Sequence, residues 1–256
     1  MSVLRIAAVI PARLNSTRLP RKVLRELAGR PMIEWVWRAA AASGLMDPVL
    51  IATDSDEVAA LCRQRGLPFQ MTSTECPSGS DRVREVASRI DADILVNIQG
   101  DEPTLTPDFF PPLLALFANP AVQVATLAVP CAAGEIGDPN AVKVVTALDG
   151  RALYFSRATI PYDRDGTPTH QTAGDGSGHA VWRKHLGIYA YRRAALEQFA
   201  ALPPSPLEQI ERLEQLRLLE NGIALYVADA PRDTIGVDTE ADLARAEAAL
   251  ASSFSR

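Results

Sequence analysis

The stretch LRIAAVIPARLNSTRLPRK, residues 4–22, decides how the chain is read. Leu4 to Ile10 is a continuous apolar run with one arginine, the pattern of a strand covered on both faces. A loop follows at once and holds Arg13, Arg18, Arg21 and Lys22 without a carboxylate. In an open α/β sheet ligands bind beyond the carboxyl ends of the strands, so these cations stand where an anion would be held. The loop contains no glycine, which excludes both a G-x-G-x-x-G turn and a Walker loop. Phosphate oxygens would therefore meet side chains: the forks of Arg13 and Arg18 and the point charge of Lys22. Asn15, Ser16 and Thr17 add small donors. A solvated loop whose arginines pair with acids elsewhere fits the same residues.

Working outward, strands and helices alternate. Pro31 opens a helix running to about Ser43 and ended by Gly44. Val49 to Thr53 reads as a strand, Ser55 to Arg65 as a helix closed by Gly66, and Leu67 to Met71 as a short strand. Asp81 to Ile90 is a helix and Ile94 to Ile98 another buried strand. This rhythm predicts an α/β fold: an open, mixed, mostly parallel sheet with helices on both faces. The second half differs. VQVATLAVP (122–130), AVKVVTAL (141–148), ALYFSRATIP (152–161) and HLGIYAYR (185–192) are longer β-type runs with fewer helices between them. They predict a smaller β-rich subregion facing substrate or a second copy of the chain. Residues 163–180, rich in Gly, Thr and Asp, read as a mobile surface loop. Two helices close the chain, in SPLEQIERLEQLRLLENG (205–222) and TEADLARAEAALASS (239–253). No linker-like shift in composition interrupts residues 1–256, so one domain is expected, with halves at 1–130 and 131–256.

The charge balance narrows the function. Thirty-one acidic residues against 26 basic ones give a net charge of −5. That argues against nonspecific binding to nucleic acid or an anionic membrane, and makes the cationic loop a local site. No apolar run approaches a membrane span. The first residues are broken by Arg5 and Pro11 and do not read as a signal peptide. Cys62, Cys76 and Cys131 lie far apart without a C-x-x-C, which fits a reducing cytoplasm and no structural zinc.

Three further clusters carry chemistry. VNIQGDEP (96–103) places Gln99, Gly100, Asp101 and Glu102 where a buried strand emerges. A hard divalent cation takes one or two carboxylates plus phosphate oxygens, and Asp101 suits that use, although a turn beginning at Pro103 explains it as well. In GVDT (236–239), Thr239 and Asp242 already form a capping pair, so Asp238 is left over. Asp54 is read as a cap for the helix that follows it. In SGSDR (78–82), Ser78 and Gly79 let backbone approach a flat base. Arg82 there offers donors to a carbonyl and a ring nitrogen, while helix capping accounts for Ser80 or Asp81. Finally, in one helix over 206–220, Glu214 projects between Leu207 and Ile210 inside the apolar arc. A carboxylate there must be paired, as in a buried ion pair with an arginine, or must bind something.

PARLNSTRLPRKVLRELAGRPMIEWV (11–36) resembles the N-terminal signature of the sugar-nucleotide cytidylyltransferases, most of all those that activate the eight-carbon acid sugar Kdo with CTP. The likeness continues in order through IATD (51–54), SGSDR, VNIQGDEP, PNAVKVV (139–145), ALYFSRATIP, KHLGIYAYR (184–192), SPLEQIERLEQLR (205–217) and GVDT. The resemblance implies that Asp101 and Asp238 hold Mg²⁺ on the nucleotide phosphates. It assigns cytidine recognition to Ser78, Gly79 and Arg82, with Gln99 at the base or ribose. Glu214 and Gln215 fall on the sugar hydroxyls, and Arg157, His185 and Tyr189 complete the acid-sugar pocket, Arg157 facing the carboxylate. It also implies a homodimer. One departure stands out: the family usually carries glycine immediately before the lysine, where this chain has Arg21. Related readings are a cytidylyltransferase for 8-amino-Kdo or a sialic acid, a nucleotidyltransferase for a sugar 1-phosphate, and a nucleotide-binding regulator without turnover.

Overall fold

A computed structural model of the chain describes residues 4–14, 19–76, 78–164 and 181–253. They fall into two compact units, one built from Met1–Pro111, Ala190–Ala200 and Thr234–Arg256, the other from Pro112–Tyr189 and Ala201–Asp233. Ser16, Thr17, Arg18 and most of the loop expected over 163–180 lie outside the described residues.

The first unit begins with β1 (Ile6–Ala12), a short hairpin of β2 (Glu26–Leu27) and β3 (Arg30–Pro31), and α1 (Met32–Ala42). It continues with β4 (Val49–Thr53), α2 (Asp56–Arg65), β5 (Phe69–Met71), α3 (Gly79–Ala87) and β6 (Ile94–Asn97). β1 pairs in parallel with β4 on one side and β6 on the other, with Ala8 opposite Val49 and Ile6 opposite Ile94. β5 extends the sheet beyond β4. Consecutive residues Ala7 to Ile10 are all fully buried, which requires cover on both faces and explains the unbroken apolar run. Ser55 accepts a hydrogen bond from the Val58 N–H and caps α2, while Ser78 and Asp81 form a capping box at the start of α3.

The second unit follows α4 (Phe110–Ala115) and contains β7 (Val124–Pro130), β8 (Lys143–Thr146) and β9 (Ala152–Ser156). β10 (Arg183–Arg192) starts in this unit and leads through its last residues into α5 (Arg193–Ala201). Then come α6 (Pro206–Glu211), α7 (Gln215–Glu220) and β11 (Leu225–Asp229), before α8 (Glu240–Ser253) returns the chain to the first unit. β7 and β11 are parallel; β8 is antiparallel to both β9 and β10. The sheet is thus mixed and mostly parallel, as the alternation of elements predicts.

One expectation fails. The single helix over 206–220 is two short helices, because Arg212 takes a left-handed conformation (φ 55°) that ends α6, and α7 starts afresh at Gln215.

Candidate active site

Parallel pairing puts the carboxyl ends of β1, β4 and β6 along one edge, so Arg13, Asp54 and the segment from Gln99 to Asp101 emerge there together. Gly100 makes the emergence possible. A Cβ at this position would lie 2.9 Å from the Pro11 carbonyl oxygen and 3.1 Å from Ile33, so only glycine lets the chain pass β1 and present Asp101.

Asp238 reaches the same place from the far end of the sequence. Val237 N–H donates to the Asp101 carbonyl at 2.9 Å, and Ile235 N–H donates to the Thr104 hydroxyl at 2.8 Å. α8 packs Leu243, Ala246 and Leu250 against Leu19, Leu27 and Met32, and Arg25 forks onto Glu240 at 2.7 and 2.9 Å. Between the two aspartates stands the Lys22 ammonium, 2.5 Å from Asp101 Oδ2 and 2.9 Å from Asp238 Oδ1. Burial alone would lower the pKa of Lys22. The charge of Asp101 and hydrogen bonds to both carboxylates outweigh that and hold it above the usual lysine value. The residue before it, Arg21, sits at φ 57°, so arginine adopts here the left-handed backbone that glycine adopts at little cost. Its guanidinium pairs with Glu57 at the surface.

The loop between β5 and α3 is pinned from three directions. Arg13 donates to the Cys76 carbonyl at 2.9 Å. Glu85 accepts from the Ser73 N–H at 2.9 Å and from the Cys76 thiol at 3.2 Å. Arg82 is 1% exposed; it pairs with Asp54 at 2.7 Å, donates to the Thr72 hydroxyl and reaches the Ser73 carbonyl at 3.5 Å. Arg82 is therefore not the open donor expected from SGSDR: its charged nitrogens hold the loop. Asp54 is not the cap of α2, a task Ser55 performs, but the counter-charge of Arg82. Ser78 caps α3, and Gly79 lies against Pro11, which sets this helix start beside the end of β1. Gln99 is half-buried just after β6.

The second unit gathers a separate set. Arg157 directs Nε to the Glu211 carbonyl at 2.8 Å and Nη1 to the Pro139 carbonyl at 2.9 Å. The Glu211 carboxylate accepts from the Ser156 hydroxyl at 2.6 Å and the Arg157 N–H at 3.0 Å. Lys143, fully buried in β8, donates to the carbonyls of Ala141, Asp138 and Arg157 at 2.6, 2.7 and 2.9 Å, and burial lowers its pKa. His185 Nε2 lies 3.1 Å from the Thr126 hydroxyl oxygen, and its ring packs edge-on against Phe155 and tilted against Tyr189. Thr126 has one proton, and Ile188 offers its carbonyl at 2.7 Å, so the hydroxyl donates there and accepts from His185. Nε2 thus carries the ring proton and Nδ1 keeps a lone pair. Desolvation pushes the imidazole pKa down to about 3, so the ring is neutral.

Glu214 is not inside an apolar arc. The break at Arg212 turns it out to an exposed position at the start of α7. The buried pair expected of it belongs to Glu208, whose carboxylate takes both Arg217 and the Ser205 N–H. Gln215 is 5% exposed. Glu211 and Lys143 escaped the sequence reading. The lysine stood in plain view inside an apolar strand, whereas nothing before Arg212 signals the break that brings Glu211 to Arg157.

Cations and a carboxylate pair on the carboxyl edge of a parallel α/β sheet define a nucleotidyl-transferring type of protein. The chain belongs to the cytidylyltransferase family, whose profile matches residues 7–228. It is 64% identical over 250 residues to the 3-deoxy-manno-octulosonate cytidylyltransferase of Acidobacterium capsulatum, covering 98% of each chain. It is 52% identical to the enzyme of the same name from Koribacter versatilis, covering 96% of this chain and 90% of that one. Among solved structures it resembles a CMP:2-keto-3-deoxy-manno-octonic acid synthetase complexed with CTP. The TM-score is 0.88 at 40% identity, over 97% of this chain and 99% of the other.

Proposed function

We propose that this chain is a 3-deoxy-D-manno-octulosonate cytidylyltransferase. It joins the C2 hydroxyl of Kdo to the α-phosphorus of CTP, giving CMP-Kdo and pyrophosphate for lipopolysaccharide assembly. The observation that carries the reading is the meeting of Asp101 and Asp238 on one ammonium at the carboxyl edge of the parallel sheet. Two carboxylates already converging on a cation are a donor set that suits a hard divalent ion shared with phosphate oxygens, so Mg²⁺ fits here. When bound, such an ion offsets phosphate charge and eases loss of the proton from the attacking hydroxyl.

The chain's own residues do the rest by position and charge. Lys22, Arg13 and Arg18 neutralise the triphosphate and the departing pyrophosphate, with Ser16 and Thr17 as neighbouring donors. Ser78 and Gly79 meet the cytosine, and Gln99 the ribose or base; Arg82 holds their loop. Arg157 takes the sugar carboxylate. His185 accepts a sugar hydroxyl at Nδ1, beside Tyr189, Glu214 and Gln215. Residues 1–130 supply most of the nucleotide half and 131–256 the sugar half, with Asp238 returning to the nucleotide. The exposed apolar side chains Leu148, Leu153 and Ile210 in the second unit suit burial in a homodimer. The reaction belongs in the cytoplasm, where CTP is made.

Incubation with CTP, Mg²⁺ and Kdo is expected to release pyrophosphate, and Asp101→Ala and Asp238→Ala to lower kcat by orders of magnitude in a folded protein. UTP, 8-amino-Kdo and a sialic acid are expected to be poorer substrates. CTP binding without turnover of any of these sugars would refute the proposal, and near wild-type rates in either variant would remove the metal assignment.

A further inference from the structure

Several arginines of the chain pair with carboxylates: Arg82 with Asp54, Arg183 with Asp229, Arg217 with Glu208. Arg157 does not. Its Nε and Nη1 are aimed by two backbone carbonyls, which orient a guanidinium without cancelling its charge. Among the described residues Nη2 makes no hydrogen bond.

The backbone of Arg157 is fixed with equal care. Its carbonyl accepts from the buried Lys143 ammonium, and its N–H donates to the Glu211 carboxylate. A cation and an anion therefore grip the same residue. Lys143 also ties that residue to Asp138 and Ala141, beside the Pro139 carbonyl that receives Nη1. Glu211 contributes twice more, holding the Ser156 hydroxyl with its carboxylate and Nε with its carbonyl.

We propose that Glu211 and Lys143 are positioning residues that lock Arg157 with Nη2 free, so that an anionic group on the sugar meets a charged donor already fixed in place. The inference rests on the assignment of Arg157 to the acid-sugar pocket. A pre-oriented cation suits a carboxylate because the ordering of a long side chain is completed before the ligand arrives.

A double-mutant cycle tests it through steady-state kinetics with Kdo and CTP varied in turn. Charge-assisted hydrogen bonds are worth a factor of about ten to a hundred, so Arg157→Gln is expected to raise the KM for Kdo by that much and leave the KM for CTP alone. Glu211→Gln, close in shape but uncharged, is expected to raise the KM for Kdo about tenfold at an unchanged KM for CTP. The combined variant is expected to be no worse than Arg157→Gln alone, because Glu211 acts through Arg157. A Kdo effect in the double variant equal to the product of the single effects would overturn the proposal, as would an unchanged KM in Glu211→Gln. An unchanged KM for Kdo in Arg157→Gln would overturn the pocket assignment itself, a separate failure. Lys143→Met serves where Glu211→Gln does not fold; it is held to the same non-additivity with Arg157→Gln.

Discussion

Replacing Lys22 by methionine removes the ammonium but keeps the length of the side chain. Asp101 and Asp238 then face each other without the Lys22 ammonium between them. Their carboxylate oxygens lie 2.5 and 2.9 Å from the lost nitrogen. Two unit charges about 4–5 Å apart repel by roughly 3–4 kcal/mol at an effective dielectric constant of about 20. The Asp101 and Asp238 side chains are 31% and 48% exposed, so water and salt screen much of this. A net loss of about 1–2 kcal/mol is a fair expectation, between exposed pairs and buried ones. In a chain of this size that lowers Tm by about 3–6 °C. The raised pKa of Lys22 means that its contribution is fully present below about pH 10 and lost only above the folded-state value. Thermal melts at pH 7.5 and low salt are therefore read with and without Mn²⁺ or Mg²⁺. The variant is expected to melt early and to be rescued by millimolar cation, whereas wild-type protein without nucleotide gains less, because its ammonium competes for the same oxygens. A variant that melts with the wild type and ignores the cation would refute the reasoning.

Asp54→Asn leaves the buried guanidinium of Arg82 without its counter-charge and is expected to cost about 2–4 kcal/mol in urea unfolding; a wild-type midpoint would show that the pair does not matter. His185 titrates near pH 6.5 when unfolded and at about 3 when folded. Between those values the unfolded chain binds the extra proton, so stability falls by up to about 1.4 kcal/mol per unit as pH drops. His185→Gln is expected to flatten that slope between pH 6.5 and 4, and an unaltered slope would assign it to other groups. Arg21→Gly relieves a left-handed arginine at the loss of a weak surface pair, and a gain of about 0.5 kcal/mol is expected from chemical unfolding; a loss would place no strain there.

The parallel sheet was legible because β1 is apolar throughout and β6 at every position but Asn97, which a strand with one wet face is not. The starts of α2 and α3 were nearly legible but their caps were not: Ser55 caps α2 in place of the expected Asp54, and Ser78 caps α3 with Asp81 reaching back to it. Asp238 could be singled out by elimination, since Thr239 and Asp242 already satisfied the start of α8. What failed to show in the sequence is conformation without a signature residue. Arg21 and Arg212 take backbone angles usually marked by glycine, and the second of these shifted the helical phase from which Glu214 was placed. Arg82 misled for another reason. Its neighbours in sequence suggest an exposed turn, but Thr72 and Asp54, distant by ten and 28 positions, enclose it.

The chain has only three lysines. Lys22 sits between two carboxylates, Lys143 among three carbonyls, and Lys184 between Glu135 and Asp233. Each occupies a place where one tetrahedral nitrogen must satisfy several acceptors at once, a task the flat arginine fork does poorly. Outward-facing positive charge is left to arginine. Acylating reagents consequently meet no lysine standing free in solvent, and the modification of Lys22 that does occur should report, by its slowness and its protection by CTP, how often the ammonium leaves its two aspartates.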